Sequence, residues 1–149
     1  MVRLADLVAE DRIVELKATT KDEVLKEMVE VLARAPEVGD KAAFYRAILD
    51  RESILSTGIG LGIAVPHAKI PAVKNLVAAL GKTKRGIQYG ALDDQPVHIV
   101  VMIGANDSQQ SDYIRALARV TLLLKNEKIR KAVIEADTPE DVYDILCEY

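Results

Sequence analysis

The chain has 149 residues, 50% hydrophobic and 29% charged, a balance that supports one packed domain and excludes global disorder. Its 20 basic and 23 acidic residues leave a net charge of −3, without the basic excess of a general nucleic-acid binder, and five Tyr, one Phe and no Trp give no platform for stacking bases. The longest apolar runs, such as Leu76 to Leu80 and Ile99 to Ile103, fall far short of the ~20 residues that cross a bilayer. The opening MVRLADLVAEDR is too acidic for a signal peptide, so no membrane insertion and a cytoplasmic location are expected.

Ile13 to Leu16 reads as a short first strand. Thr20 then caps a helix, with Glu23 three residues on as the second half of a capping box. Val24, Leu25, Met28, Val31 and Leu32 form its apolar stripe, and Pro36 and Gly39 end it. Asp40 caps the next helix, which carries Phe44, Ala47, Ile48 and Arg51 on one face.

From Ser56 to His67 the chain changes character. Gly58, Gly60 and Gly62 alternate with apolar residues, and Ile63 to Val65 reads as a strand closed by Pro66. Leu76 to Gly81 and His98 to Gly104 lack polar alternation and are expected to be buried central strands. Lys82, Lys84 and Arg85 read as a solvated loop, with a docking patch as the alternative. After Asn106 the period becomes helical, with Tyr113, Ile114, Leu117, Val120, Thr121 and Leu124 on one stripe. A short helix over 127–135 follows, and Thr138 with Pro139 opens a last one that buries Val142, Ile145 and Leu146. The single cysteine, Cys147, supports neither a disulfide framework nor a Cys-rich zinc site and is expected to pack under that last helix. The pattern predicts a single-domain α/β fold, a mixed β-sheet with helices on both faces.

Chemistry has few places to reside. His67 and His98 are the only histidines, and neither has a metal-ligand partner at suitable spacing, so no metal is expected. The glycines match neither a P-loop nor a dinucleotide fingerprint. His98 reads as a structural or strand-edge residue. His67 follows Pro66, which fixes its own φ and biases Val65 towards extended backbone, so the imidazole stands on a defined strand end. A neutral imidazole of pKa ~6.5 has one free lone pair and is a nucleophile towards phosphorus. A structural histidine beside a tight turn is the competing reading. Arg51 precedes the glycine segment and could grip phosphate oxygens, or else pair at the surface with Asp50 or Glu52. Ser56 and Thr57 offer hydroxyls, with turn formation as their default role.

The segment RESILSTGIGLGIAVPHAK, from Arg51 to Lys69, resembles the active-site signature of enzyme IIA of the bacterial phosphoenolpyruvate-dependent phosphotransferase system, fructose/mannitol type (type 2), and within it most closely the nitrogen-regulatory branch. GIQYGALDDQPVHIVVMIGA and the tail TPEDVYDIL extend the resemblance over nearly the whole chain. It implies a histidine that accepts phosphate, on Nε2, from a phosphohistidine carrier, HPr or its nitrogen-branch counterpart. His67 matches that acceptor, Arg51 the family's active-site arginine, and Thr57, Gly58 and Gly60 the supporting loop. Where the family usually has a second histidine, this chain has Tyr113. A phenol donates a hydrogen bond but stays uncharged at about pH 7, which implies transfer rates unlike those of sugar-transporting members. No cofactor is implied.

The expected function is therefore a phosphoryl carrier acting mainly as a regulator of other proteins. One alternative is a soluble IIA subunit that passes phosphate to a IIB cysteine for sugar uptake. Another is a binding module that is never phosphorylated. An apolar docking patch is expected at Ile59, Leu61 and Ile70. The oligomeric state stays open, a homodimer included.

Overall fold

The computed structural model describes residues 3–149. A short helix α1 (Leu4–Leu7) and a turn of 3-10 helix (Glu10–Arg12) precede β1 (Ile13–Glu15). Two helices follow, α2 (Lys21–Leu32) and α3 (Lys41–Ile54), then three short strands, β2 (Gly58–Gly60), β3 (Ile63–Ala64) and β4 (His67–Lys69). The long strands β5 (Val77–Ile87) and β6 (Val97–Ala105) come next, and the chain closes with α4 (Gln110–Leu124), α5 (Glu127–Glu135) and α6 (Pro139–Cys147).

Each predicted N-cap residue accepts a helix N–H, Thr20 without the return bond from Glu23 that would complete the capping box. The Glu23 N–H donates to Thr20 Oγ1, the Ala43 N–H to Asp40 Oδ1, and the Asp141 N–H to Thr138 Oγ1. Val24, Leu25, Met28, Val31 and Leu32 are all buried. On α4 the stripe rotates slightly. Tyr113, Ala116, Val120 and Leu124 are buried, whereas Ile114 is 53% exposed, because positions 113, 116, 120 and 124 already fill the face that meets the sheet. Cys147 is exposed, contrary to expectation, since Val142 and Leu146 occupy the inner face of α6.

The six strands form one mixed sheet in the order β1-β5-β6-β3-β2, with β4 also on β6. β5 and β6 are antiparallel, with Leu80 opposite Val101, and β1 runs parallel to β5. β3 and β4 both pair with β6 in parallel, one after the other along the same edge, at Ile99–Val100 and at Ile103–Ala105. Both long strands are buried on two faces, which is why they carry no polar alternation. Leu80, Ile99, Val101 and Ile103 meet α1, α4, α5 and α6, while Val77, Ala79, Val100 and Met102 meet α2 and α3.

β5 runs through the residues read as a loop. Lys82 is buried, its Nζ bonded to the Glu15 carboxylate and to the carbonyls of Ile134 at 3.2 Å and Ala136 at 2.7 Å. A cation is thus seated at the C-terminal end of α5, where exposed carbonyls favour it. Lys84 and Arg85 do face solvent. His98 is structural, with Nδ1 2.9 Å from the Thr83 carbonyl.

Candidate functional site

The glycine segment folds into a hairpin. β2 and β3 pair antiparallel, and the tip turns through three left-handed residues, Gly60 (φ 98°), Leu61 (φ 59°) and Gly62 (φ 76°). Glycine adopts this conformation without the Cβ penalty, and Leu61 is held there by its N–H bond to Asp93 Oδ2 at 3.3 Å. Gly58 meets a different demand, since a Cβ there would lie 2.7 Å from that of Ala91. Ser56 is a turn former, its Oγ accepting from the Gly58 N–H at 3.1 Å.

Behind the hairpin lies a buried polar network. Glu52 receives Tyr89 OH at 2.9 Å, Lys21 Nζ at 2.7 Å, and both the hydroxyl and the N–H of Thr57. Burial pushes the Glu52 carboxyl up, but the bonds from Lys21, Thr57 and Tyr89 outweigh it and hold the group below the usual glutamate value. Burial, and then the Glu52 charge, raise the Tyr89 phenol. Glu52 is therefore no surface partner of Arg51. Its carboxylate points inward and is neutralised by Lys21.

This network reaches His67 through the backbone. The Thr57 carbonyl accepts the Val65 N–H at 3.0 Å, and the Val65 carbonyl lies 2.7 Å from His67 Nδ1. A carbonyl oxygen only accepts, so the ring proton is on Nδ1 and the lone pair on Nε2. Burial is the main influence holding the imidazole below its usual pKa. The Arg51 charge adds to it, against the Val65 bond and Glu52.

His67 opens into a cavity of about 450 Å³ between α3 and the start of α4, lined by Ala47, Asp50, Arg51, His67, Ala68, Lys69, Gln110 and Tyr113. The Tyr113 ring meets the His67 ring edge-on, centroids 5.6 Å apart. Burial pushes the Tyr113 phenol up to about 12, Arg51 opposing, so it is a neutral donor at physiological pH. Arg51 donates from Nη1 to the Leu55 carbonyl at 2.8 Å, which fixes the guanidinium beside the cavity.

Of the residues singled out from sequence, His67, Arg51 and Tyr113 come together around this space. Thr57 stands behind it, and Gly58 and Gly60 are not among its lining residues. Ile59 and Leu61 are 37% and 54% exposed, whereas Ile70 packs against the core beneath α2 and α3. Sequence reading missed Lys21, Glu52, Tyr89, Lys69 and Gln110. Lys69 alone had a local signal, its two-residue spacing from His67 on a strand.

The arrangement is an unprotonated imidazole nitrogen at a small cavity with an arginine and a phenol beside it, a combination suited to an anionic phosphoryl group. Residues 7–149 match the family described as phosphoenolpyruvate-dependent sugar phosphotransferase system, EIIA 2. The chain belongs to this EIIA family. It is 40% identical over 149 residues to the fructose-specific EIIABC component of Bacillus subtilis, covering 99% of this chain but only 24% of that longer protein. It is 30% identical over 144 residues to a nitrogen regulatory protein of Bradyrhizobium diazoefficiens, covering 96% of this chain and 94% of that one. The fold matches the nitrogen regulatory protein IIA-Ntr of Neisseria meningitidis with a TM-score of 0.88, at 22% identity and over 95% and 97% of the two chains. Like other EIIA proteins it is a phosphotransferase-system component, and no helix among the described residues is long and apolar enough to cross a membrane.

Proposed function

We propose that the EIIA chain, residues 1–149 acting as one domain, carries a phosphoryl group on His67 Nε2. It takes the group from a phosphohistidine carrier, HPr or its nitrogen-branch counterpart, and works in the cytoplasm mainly as a phosphorylation-dependent regulator. The observation that supports this best is the 2.7 Å separation of His67 Nδ1 and the Val65 carbonyl, which leaves the Nε2 lone pair as the reactive one. In the transfer, that lone pair forms the new N–P bond, the donor's N–P bond breaks, and its electron pair returns to the donor imidazole, which leaves neutral because its other ring nitrogen carries a proton. Arg51 bears on the equatorial oxygens and the Tyr113 hydroxyl donates to one of them, so catalysis rests on positioning and charge. The regulatory role is supported by the similarity to a nitrogen regulatory protein over 94% of that protein's length.

Incubation with phosphoenolpyruvate, enzyme I and HPr, and in parallel with their nitrogen-branch counterparts, tests this by intact mass. An acid-labile gain of one phosphate, absent in His67→Ala, is the expected result. No gain beside a working positive control would overturn it and leave a protein-binding module. A second reading, delivery of the phosphate to a IIB cysteine for sugar uptake, is favoured by the 40% identity to a fructose-specific EIIABC component. Sugar-dependent loss of phosphate from His67 in the presence of a IIB domain would establish it.

A further inference from the structure

We propose that Lys69 is a second phosphoryl-binding cation of the His67 cavity, an inference that rests on the phosphoryl-carrier reading above. His67 and Lys69 are the first and third residues of β4, so their side chains leave the strand on the same side, while Ala68 between them is buried. Lys69 Nζ is hydrogen-bonded to Gln110 Oε1, on the first residue of α4, and lies 5.9 Å from the centroid of the Tyr113 ring. The Tyr113 ring in turn stands 5.6 Å from that of His67. Ammonium and imidazole therefore flank one aromatic ring at the mouth of one cavity.

The charge balance of the lining shows what Lys69 adds. Asp50 contributes a negative charge and Arg51 a positive one, while His67 and Tyr113 are neutral, so without Lys69 the lining sums to zero. A transferred phosphoryl group brings about two negative charges, by analogy with other protein phosphoryl groups. Arg51 and Asp50 together do not answer that charge, and Lys69 is the group that makes the lining net positive. Its long flexible stem lets the ammonium exchange the Gln110 oxygen for a phosphoryl oxygen, a point charge complementing the forked guanidinium. When His67 Nε2 takes the group and Nδ1 keeps its proton against the Val65 carbonyl, the ring becomes cationic and offsets one of the two charges; Asp50 cancels Arg51, so Lys69 answers the other and lowers the free energy of the product.

The position of equilibrium tests this, because it reports the stability of the phosphohistidine and is independent of how the donor docks. Phosphate is allowed to distribute between purified HPr and the full chain, and both phosphoproteins are quantified. Lys69→Gln is expected to shift the equilibrium constant about tenfold towards HPr, as for loss of a hydrogen bond to a charged group. Lys69→Arg is expected to return it to within about twofold of wild type. An unchanged end point for Lys69→Gln, whether reached at the wild-type rate or more slowly, overturns the inference and leaves His67 as acceptor. A wild-type chain that takes no phosphate from HPr or from its nitrogen-branch counterpart overturns both.

Discussion

The Val65 carbonyl oxygen lies 2.7 Å from His67 Nδ1, with Pro66 between the two residues. One backbone group thus decides which nitrogen of the His67 ring carries the free lone pair. Proline strengthens the arrangement by restricting Val65 to extended backbone, and the Ile103 N–H donates to the Pro66 carbonyl at 3.0 Å, tying the turn to the central strand.

The first prediction concerns pH. The native imidazole titrates below the ordinary value of 6.5, mainly through burial. The unfolded chain therefore takes up its proton first as pH falls. The stability held by neutral His67 is fully present above 6.5 and is lost as pH drops from there towards the depressed native value. The melting-temperature difference between wild type and His67→Gln should be constant above 6.5 and should move against wild type across that window. Single-turnover phosphorylation should likewise persist below the pH at which a free imidazole is half protonated. A kinetic midpoint at or above 6.5 would show that burial does not control the ring.

Glu52 should be costly to alter although it touches nothing in the cavity. Glu52→Gln removes the charge that Lys21 neutralises and turns an acceptor oxygen into a donor facing Tyr89 or Thr57. We expect a loss of about 2–4 kcal/mol in denaturant unfolding. Thr57→Val should cost about 1–2 kcal/mol, whereas Thr57→Ser keeps the hydroxyl and should stay within about 0.5–1 kcal/mol of wild type. Both disruptive variants should also broaden the His67 ring resonances in nitrogen NMR, since the Thr57 carbonyl holds Val65 in place. Sharp wild-type resonances in Glu52→Gln would separate the network from the acceptor.

Lys82 and Glu15 form an asymmetric pair. The Lys82 side chain is 4% exposed and that of Glu15 58%. Glu15→Gln should therefore cost less than about 1 kcal/mol. Lys82→Met keeps most of the stem packing but strips the Ile134 and Ala136 carbonyls of their donor, and should cost about 1–3 kcal/mol. Equal costs for the two variants would mean that the ion pair, rather than the carbonyl cap on α5, is what Lys82 contributes.

Gly58 and Ala91 should behave as a coupled pair. Gly58→Ala places a Cβ 2.7 Å from the Ala91 Cβ and 2.8 Å from its backbone α-carbon, an overpacking of about 1–3 kcal/mol. Adding Ala91→Gly removes the side-chain half of the clash but leaves the backbone half, so the double variant should recover only part of the loss. Full additivity of the two single costs would show that the hairpin yields instead of clashing.

The layered α/β fold was legible because its signals are local. Thr20, Asp40 and Thr138 mark helix starts through their own side chains, and unbroken apolar runs mark the strands buried on both faces. His67 stood out as the proposed acceptor because Pro66 and the glycines restrict backbone geometry around it. The Glu52 network was not, since Lys21, Glu52 and Tyr89 come from separate elements and only the fold brings them together. Lys82 misled for a related reason. A lysine reads as solvent-facing until α5 is seen to end above it, offering carbonyls that replace water. Cys147 was misplaced because one residue at a helix end can fall on either face, and the stripe through Val142 and Leu146 leaves it outside.

β4 continues the edge that β3 begins, so the strand bearing His67 is pinned to β6 on both sides of Pro66. Such a histidine has little freedom to rearrange its surroundings when it is modified. Loaded and empty forms of the protein would then share one outline and differ in electrostatic potential. A partner that distinguishes them must sense charge, so its preference should fade as ionic strength rises, and its discrimination should appear in the association rate. With His67 as the proposed acceptor, rigidity here would convert a covalent event into a readable field, a form of signalling that requires no moving part.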